Sequence, residues 1–168
     1  MTASLSAAIR PAVPADAPVI LAFIRELAEY ERLLHEVKIT LADLEALVFG
    51  AAPRVFCDIA ETDAGPVGFA LWFYSVSTFE GRLGIYLEDL YVRLEARGGG
   101  VGKALLAHLA RRCQAEGLAR LEWSVLDWNA TAIGFYDSLG ATAKTDWITR
   151  RLSGDALVRL AMSHSRGP

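Results

Sequence analysis

The sequence predicts an α+β, or mixed α/β, fold built on a single sheet, and three observations carry that expectation. Two apolar runs, Val55 to Ala60 and Val67 to Val76, flank the turn cluster Asp63-Ala64-Gly65-Pro66 at hairpin length. The glycine run Gly98 to Gly102 stands between a strand pattern and a long amphipathic helical pattern. In chain order the elements read β-α-α-β-β-β-α-β-α-β, an antiparallel run followed by a β-α-β unit.

Each element has its own local signal. Ile9-Arg10-Pro11 is a short strand ended by Pro11 and Pro14, since proline lacks the N–H that a ladder needs. Asp16 is placed to cap a helix in which Ile20, Phe23, Ile24 and Leu27 recur at helical spacing. Thr40 opens a second, short helix. Its Thr40-Leu41-Ala42-Asp43 run resembles a capping box with Asp for Glu, and Leu41, Leu44 and Val48 follow on one side. After the hairpin, Ile85 to Val92 is a third consecutive strand. The helix opened by the glycine run buries Val101, Leu105, Leu109 and Cys113 and stops near Gly117. Leu118 to Leu126 reads as a strand. Asn129 caps a further helix that turns Ala132, Phe135, Tyr136 and Leu139 inward and ends at Gly140. A last strand is expected around Trp147 to Leu152.

No linker or repeat divides the 168 residues, so one domain (1–168, core about 9–152) is expected. At 53% apolar and 22% charged residues the body of the chain is too apolar to be disordered. A net charge of -3 argues against a partner such as nucleic acid, which is held by broad phosphate neutralisation. Cys57 and Cys113 lie among apolar residues and make neither a disulfide framework nor a zinc site. His35, His108 and His164 lack metal-ligand spacing, so no metal is expected, and His108 reads as structural. The residues from Met1 to Leu5 show no basic-then-apolar leader, and no apolar run is long enough to cross a bilayer. A cytoplasmic protein that does not enter membranes is the expectation.

Arg97-Gly98-Gly99-Gly100-Val101-Gly102-Lys103 carries the richest chemical signal. Free N–H groups and the positive end of the dipole at a helix N-terminus attract an anion. Glycines remove the Cβ atoms that would keep a phosphate away, and Arg97 can add a charge-assisted contact. A tight strand-to-helix turn is the other reading, but four glycines in five positions exceed what a turn needs. A Walker A loop fails because Gly102-Lys103 precedes Ala104 and Arg97 occupies the first glycine position. The dinucleotide fingerprint fails because Lys103 or Leu105 takes the third glycine position, and Glu122 lies inside a strand rather than at its end.

The pattern that fits is Arg-x-x-Gly-x-Gly over Arg97 to Gly102, after Leu87-Glu88-Asp89-Leu90-Tyr91-Val92. This resembles the acyl-CoA pyrophosphate loop of the GNAT (Gcn5-related) N-acetyltransferase superfamily. The resemblance extends to Leu126-Asp127-Trp128-Asn129, to Phe135-Tyr136-Asp137-Ser138-Leu139-Gly140, and over about Ile9 to Leu152. Tyr86-Leu87-Glu88-Asp89, Leu126 to Asn129 and Glu26-Leu27-Ala28-Glu29-Tyr30-Glu31 are most similar to the diamine/polyamine and thialysine acetyltransferases. Gly81-Arg82-Leu83-Gly84-Ile85 departs from the eukaryotic polyamine enzymes by one added residue. The resemblance implies a central, mostly antiparallel, twisted sheet flanked by helices, acetyl-CoA as co-substrate, a small-molecule amine acceptor and a homodimer.

Acetyl transfer from a thioester needs a neutral amine, a polarised carbonyl and a proton for the departing thiolate. An alkyl amine has a pKa near ~10.4 by analogy with lysine and must lose a proton. Glu88 is the candidate acceptor of that proton, directly or through water. Strand alternation puts Glu88 with Tyr86 and Leu90, and Asp89 on the other face with Leu87 and Tyr91. The resemblance makes Tyr136 the proton donor to the thiolate, although its spacing equally suits a core tyrosine. It also implies cofactor contacts from Asn129, from the backbone of Leu90, Tyr91 and Val92, and from the loop residues Arg97, Gly98, Gly99, Gly100, Val101, Gly102 and Lys103. Tyr30, Glu31, Glu88, Asp89 and Trp147 offer carboxylates and aromatic faces suited to an alkylammonium ion. Trp72 and Trp128 are candidates for a dimer surface, a closed core being the other reading. A non-catalytic acyl-CoA-binding module, and a protein or peptide N-acetyltransferase, are the alternatives on this fold; Glu88 and Tyr136 favour an enzyme.

Overall fold

The computed structural model describes residues 7–163. His164 and the residues before Ala7 lie outside the described region. The chain divides into two compact units, Met1–Leu126 and Asp127–Pro168.

In the first unit, five strands lie in sequence order across one sheet: β1 (Ala8–Pro11), β2 (Phe56–Thr62), β3 (Gly65–Ser77), β4 (Arg82–Val92) and β5 (Leu121–Trp123). The first three pairings are antiparallel, and β4 pairs with β5 in parallel. That parallel pair needs a crossover, which α3 (Val101–Glu116) supplies. The mixed α+β expectation and its β-α-β unit are therefore met.

Helices α1 (Ala17–Tyr30) and α2 (Leu41–Phe49) deliver Ile20, Phe23, Leu44 and Val48 to a core with Cys57, Ile59, Phe69, Leu71 and Tyr91. Fully burying each large apolar side chain stabilises the fold by roughly 1.5–3 kcal/mol. On α3, Val101, Leu105, Leu106, Leu109 and Cys113 are buried. Trp72 is buried as well; its Nε1–H donates to Asp58 at 2.8 Å, so it is a core residue and no candidate for a dimer surface. His108 Nε2 lies 3.4 Å from the same carboxylate. Cys57 and Cys113 are free and buried, and burial pushes both thiols up.

The caps follow the sequence with one exception. Thr40 Oγ1 accepts from the Asp43 N–H at 3.2 Å while Asp43 accepts from the Thr40 N–H at 2.9 Å, the reciprocal box expected. Asn129 Oδ1 accepts from the Ala132 N–H at 3.2 Å at the start of α4 (Ala130–Ser138) in the second unit. Asp16 precedes α1 but does not cap it. Its carboxylate binds the Arg10 guanidinium at 2.7 and 3.0 Å and accepts the Val13 N–H at 2.8 Å. The guanidinium is the stronger partner, and it holds the Asp16 carboxyl below the usual carboxylate range.

Two strand expectations are corrected. The run from Leu118 to Leu126 forms a ladder only over Leu121–Trp123. In the second unit, Trp147 to Leu152 forms no strand, and Trp147 and Ile148 are 74% and 75% exposed. Arg150 and Arg151 interrupt the alternation there, and a strand without a ladder partner has no backbone hydrogen bonds to hold it. The chain instead forms α5 (Gly154–Met162), whose Leu157, Val158, Leu160 and Met162 are exposed.

Candidate active site

The site begins with an irregularity in β4. Leu71 of β3 pairs with Asp89 and Trp72 pairs with Leu87, so Glu88 is an extra residue with no opposite number. This is a β-bulge, and it breaks the strict alternation expected of the strand. Asp89 is in register with Leu71 and hence on the α1 and α2 face, whereas Leu87 is in register with the oppositely directed Trp72. Asp89 and Leu87 therefore do not share a face.

The bulge also bounds the parallel ladder. Pairing with β5 runs from Ile85↔Leu121 to Leu87↔Trp123 and stops at the residue before Glu88. Among the described residues, 88–92 continue along β3 but carry no ladder on the β5 side. That leaves a strand edge whose main-chain groups can pair with an extended ligand bearing amides.

Electrostatics single out the residue after the bulge. Glu88 is exposed, whereas Asp89 is half-buried. Burial, reinforced by the negative charges of Glu88 and Glu31, pushes the Asp89 carboxyl up to about 7. Glu31, at the C-terminal end of α1, is itself raised by burial. Two of the expected amine-site carboxylates thus act on the third, Asp89, which is poised to change charge near neutral pH.

Beyond Val92 a short turn leads to the glycine loop. Gly98 and Gly100 take φ of 77° and 85°, the left-handed region where a side chain is strained. A Cβ on either would meet nothing within 4 Å, so open space lies above the loop. Gly100 is the N-cap of α3, and no side chain caps the helix. The first-turn amides of Val101, Gly102 and Lys103 therefore face an anion site made of backbone, with the exposed Lys103 beside it. Open space over left-handed glycines, next to an open strand edge, fits a ligand that joins a pyrophosphate to an amide-bearing arm.

Arg97 is placed otherwise than its expected phosphate contact suggests. Its Nε donates to the Val92 carbonyl at 2.8 Å, and its Cζ lies 4.8 Å from the Tyr30 ring centroid and 5.4 Å from that of Tyr91. Tyr30 thus meets the loop's arginine, a contact that element patterns do not reveal.

The remaining expected residues belong to the second unit. Asn129 is buried at its helix cap, and Tyr136 is half-buried on α4 with its ring 5.4 Å from that of Phe135. Trp147 lies outside any strand.

The Acetyltransferase (GNAT) family model matches residues 21–141. The chain belongs to the GNAT acetyltransferase family. A thialysine N-epsilon-acetyltransferase of Bos taurus is 41% identical over 164 residues, covering 91% of this chain and 96% of the relative. An L-ornithine N5-acetyltransferase of Arabidopsis thaliana is 31% identical, covering 89% and 85% of the two chains. Among solved structures, an integron cassette protein from the mobile metagenome of V. cholerae superposes with a TM-score of 0.78 at 28% identity, covering 94% of this chain and 99% of the other. This GNAT protein is an acetyl-CoA-dependent N-acetyltransferase. Among the described residues no group of three or more His, Cys, Asp or Glu could hold a metal ion, and no helix is long and apolar enough to cross a membrane.

Proposed function

We propose that this enzyme acetylates the primary amine of a small cationic molecule, an amino acid or diamine of the thialysine, ornithine or polyamine kind. The observation that carries the reading is the carboxylate cluster Glu31, Glu88 and Asp89 beside the open β4 edge. An ammonium ion suits such a cluster, because a cation there offsets both the burial and the like-charge repulsion that raise Asp89. The names of the thialysine and ornithine relatives point to the same substrate class.

In this reading the glycine loop and the first-turn amides Val101, Gly102 and Lys103 hold the pyrophosphate, and the main chain of Leu90, Tyr91 and Val92 pairs with the pantetheine arm. Acetyl-CoA supplies the activated acyl group as a thioester. Glu88, directly or through water, takes the ammonium proton and frees the amine lone pair; Glu31 and Asp89 hold the cationic group. Tyr136 gives its phenolic proton to the departing thiolate, and Asn129 steadies the cofactor. Tyr30 and Trp147 supply aromatic surface to the alkyl chain.

The test is thiol release from acetyl-CoA with thialysine, ornithine, lysine, putrescine and spermidine in turn. Saturable release with at least one of them, lost in Glu88→Gln, is the expected result. Tight acetyl-CoA binding without release to any small amine would turn the reading toward a macromolecular acceptor or a binding module.

We also infer a cytoplasmic homodimer acting as a single N-acetyltransferase domain, without nucleic-acid or membrane partners. The family match across residues 21–141 supports one functional domain. The exposed apolar residues Leu157, Val158, Leu160 and Met162 of α5 support self-association, and two free thiols suit a reducing compartment. Equilibrium sedimentation gives the mass that decides the oligomer.

A further inference from the structure

We propose that Arg97 is a positioning residue that fixes the glycine loop by an aromatic clamp, not a side-chain ligand of the bound pyrophosphate. The inference rests on the reading of Gly98–Gly102 as the cofactor cradle. Arg97 is the last residue before that cradle, with extended backbone at φ -71° and ψ 158°. Its side chain folds back onto the strand the chain has just left. Nε donates to the Val92 carbonyl at 2.8 Å, and the guanidinium carbon lies within 6 Å of two aromatic centroids, Tyr30 and Tyr91.

These contacts use what an arginine has and a lysine lacks: a planar face for stacking and a fixed Nε–H beside it. They also join three segments, the end of α1, the end of β4 and the start of the loop. The clamp is backed from behind. Tyr91 hydrogen-bonds Glu26, and Glu26 receives the Arg93 guanidinium at 3.0 and 3.2 Å. Arg93 in turn lies 4.8 Å over the Phe23 ring, inside the α1 core. The loop's entry point is thereby anchored to the most buried part of the first unit. Tyr30, next to Glu31 of the amine-site cluster, becomes the residue through which the acceptor end of the site contacts the donor loop.

A charge on the phosphate and a clamp on the loop predict different behaviour in CoA binding, measured by calorimetric titration of CoA into the full-length protein. With a clamp, Arg97→Lys weakens CoA about tenfold although the charge is kept, since the planar stacking face and the Nε–H that bonds the Val92 carbonyl are both lost. Tyr30→Leu weakens it too, and the double variant is no worse than Arg97→Lys alone, because the contact with Tyr30 is among those the lysine has already lost. Arg97→Gln weakens binding while its salt dependence stays parallel to the wild type, no phosphate contact having been lost. Binding that Arg97→Lys preserves, a flatter salt dependence in Arg97→Gln, or additive losses in the double variant would each overturn the clamp. A wild-type protein that does not bind CoA at all would instead sink the reading of the cradle itself.

Discussion

Asp89 shows how one residue's setting turns into a measurable pH effect. Its carboxyl is raised to about 7, first by burial and then by Glu88 and Glu31, so the fold favours the protonated form. The sign follows. An acid raised in the folded state contributes stability that is complete below its unfolded pKa of about 3.9 and is lost as pH rises through about 7. Asp89→Asn is therefore expected to melt higher than the wild type at pH 8, with the difference shrinking toward pH 5 in thermal denaturation. Activity reports the same group differently. If Asp89 rather than Glu88 collects the ammonium proton, kcat/KM rises through about 7, and this limb is lost in Asp89→Asn but kept in Glu88→Gln. Turnover that survives in Asp89→Asn and is lost in Glu88→Gln assigns the proton to Glu88. For Tyr136, Tyr136→Phe should reduce kcat by about 100-fold or more while the Kd for acetyl-CoA changes less than about threefold. Equal losses in both would make Tyr136 a packing residue. Little of this was legible in the sequence: Glu88 and Asp89 were visible as candidates, but the bulge that separates their settings depends on the pairing of Leu71 and Trp72, which no local pattern encodes.

At the scale of the element, α3 was the most legible part of the chain, because glycine marks both of its ends. Gly100 at φ 85° and Gly117 at φ 65° are both left-handed, and a Cβ on either meets nothing within 4 Å. Alanine at either position should therefore cost a similar ~1–2 kcal/mol of backbone strain, or about 2–8 °C in Tm. The two ends differ in function. Gly100→Ala puts a methyl group into the space over the loop and should weaken CoA at least tenfold, whereas Gly117→Ala should leave CoA binding unchanged. Loss of affinity in both, or in neither, would remove the distinction between cradle and cap. The capping box of α2 was equally readable, since Thr40 and Asp43 need only each other. Strands were less so, because a strand exists through its partner. The run after Leu118 mixes strand formers such as Trp123 and Val125 with Ala119 and Glu122, it pairs only where β4 is still straight, and Trp147 to Leu152 has no ladder at all.

For the whole molecule, fold and family were legible because the motifs that carry the site are the ones that order the sheet: the glycine run fixes the crossover, and the crossover fixes the parallel pair. Arrangement beyond the backbone was not. Arg97 read as a phosphate ligand from its position beside the glycines, but its side chain belongs to a cluster assembled from α1, β4 and the loop. A ligand that binds only the folded form stabilises it by mass action, and this gives a test of the assembled cradle. At a hundred times its Kd, CoA should add about 2.7 kcal/mol, or a rise of about 5–10 °C in Tm for a chain of this size. The rise should fall in Gly100→Ala when measured at the same CoA concentration, because stabilisation depends on the ratio of ligand to Kd. In Gly117→Ala the starting Tm should be lower but the rise should remain full. A full rise in Gly100→Ala would mean that CoA binds somewhere other than the glycine loop.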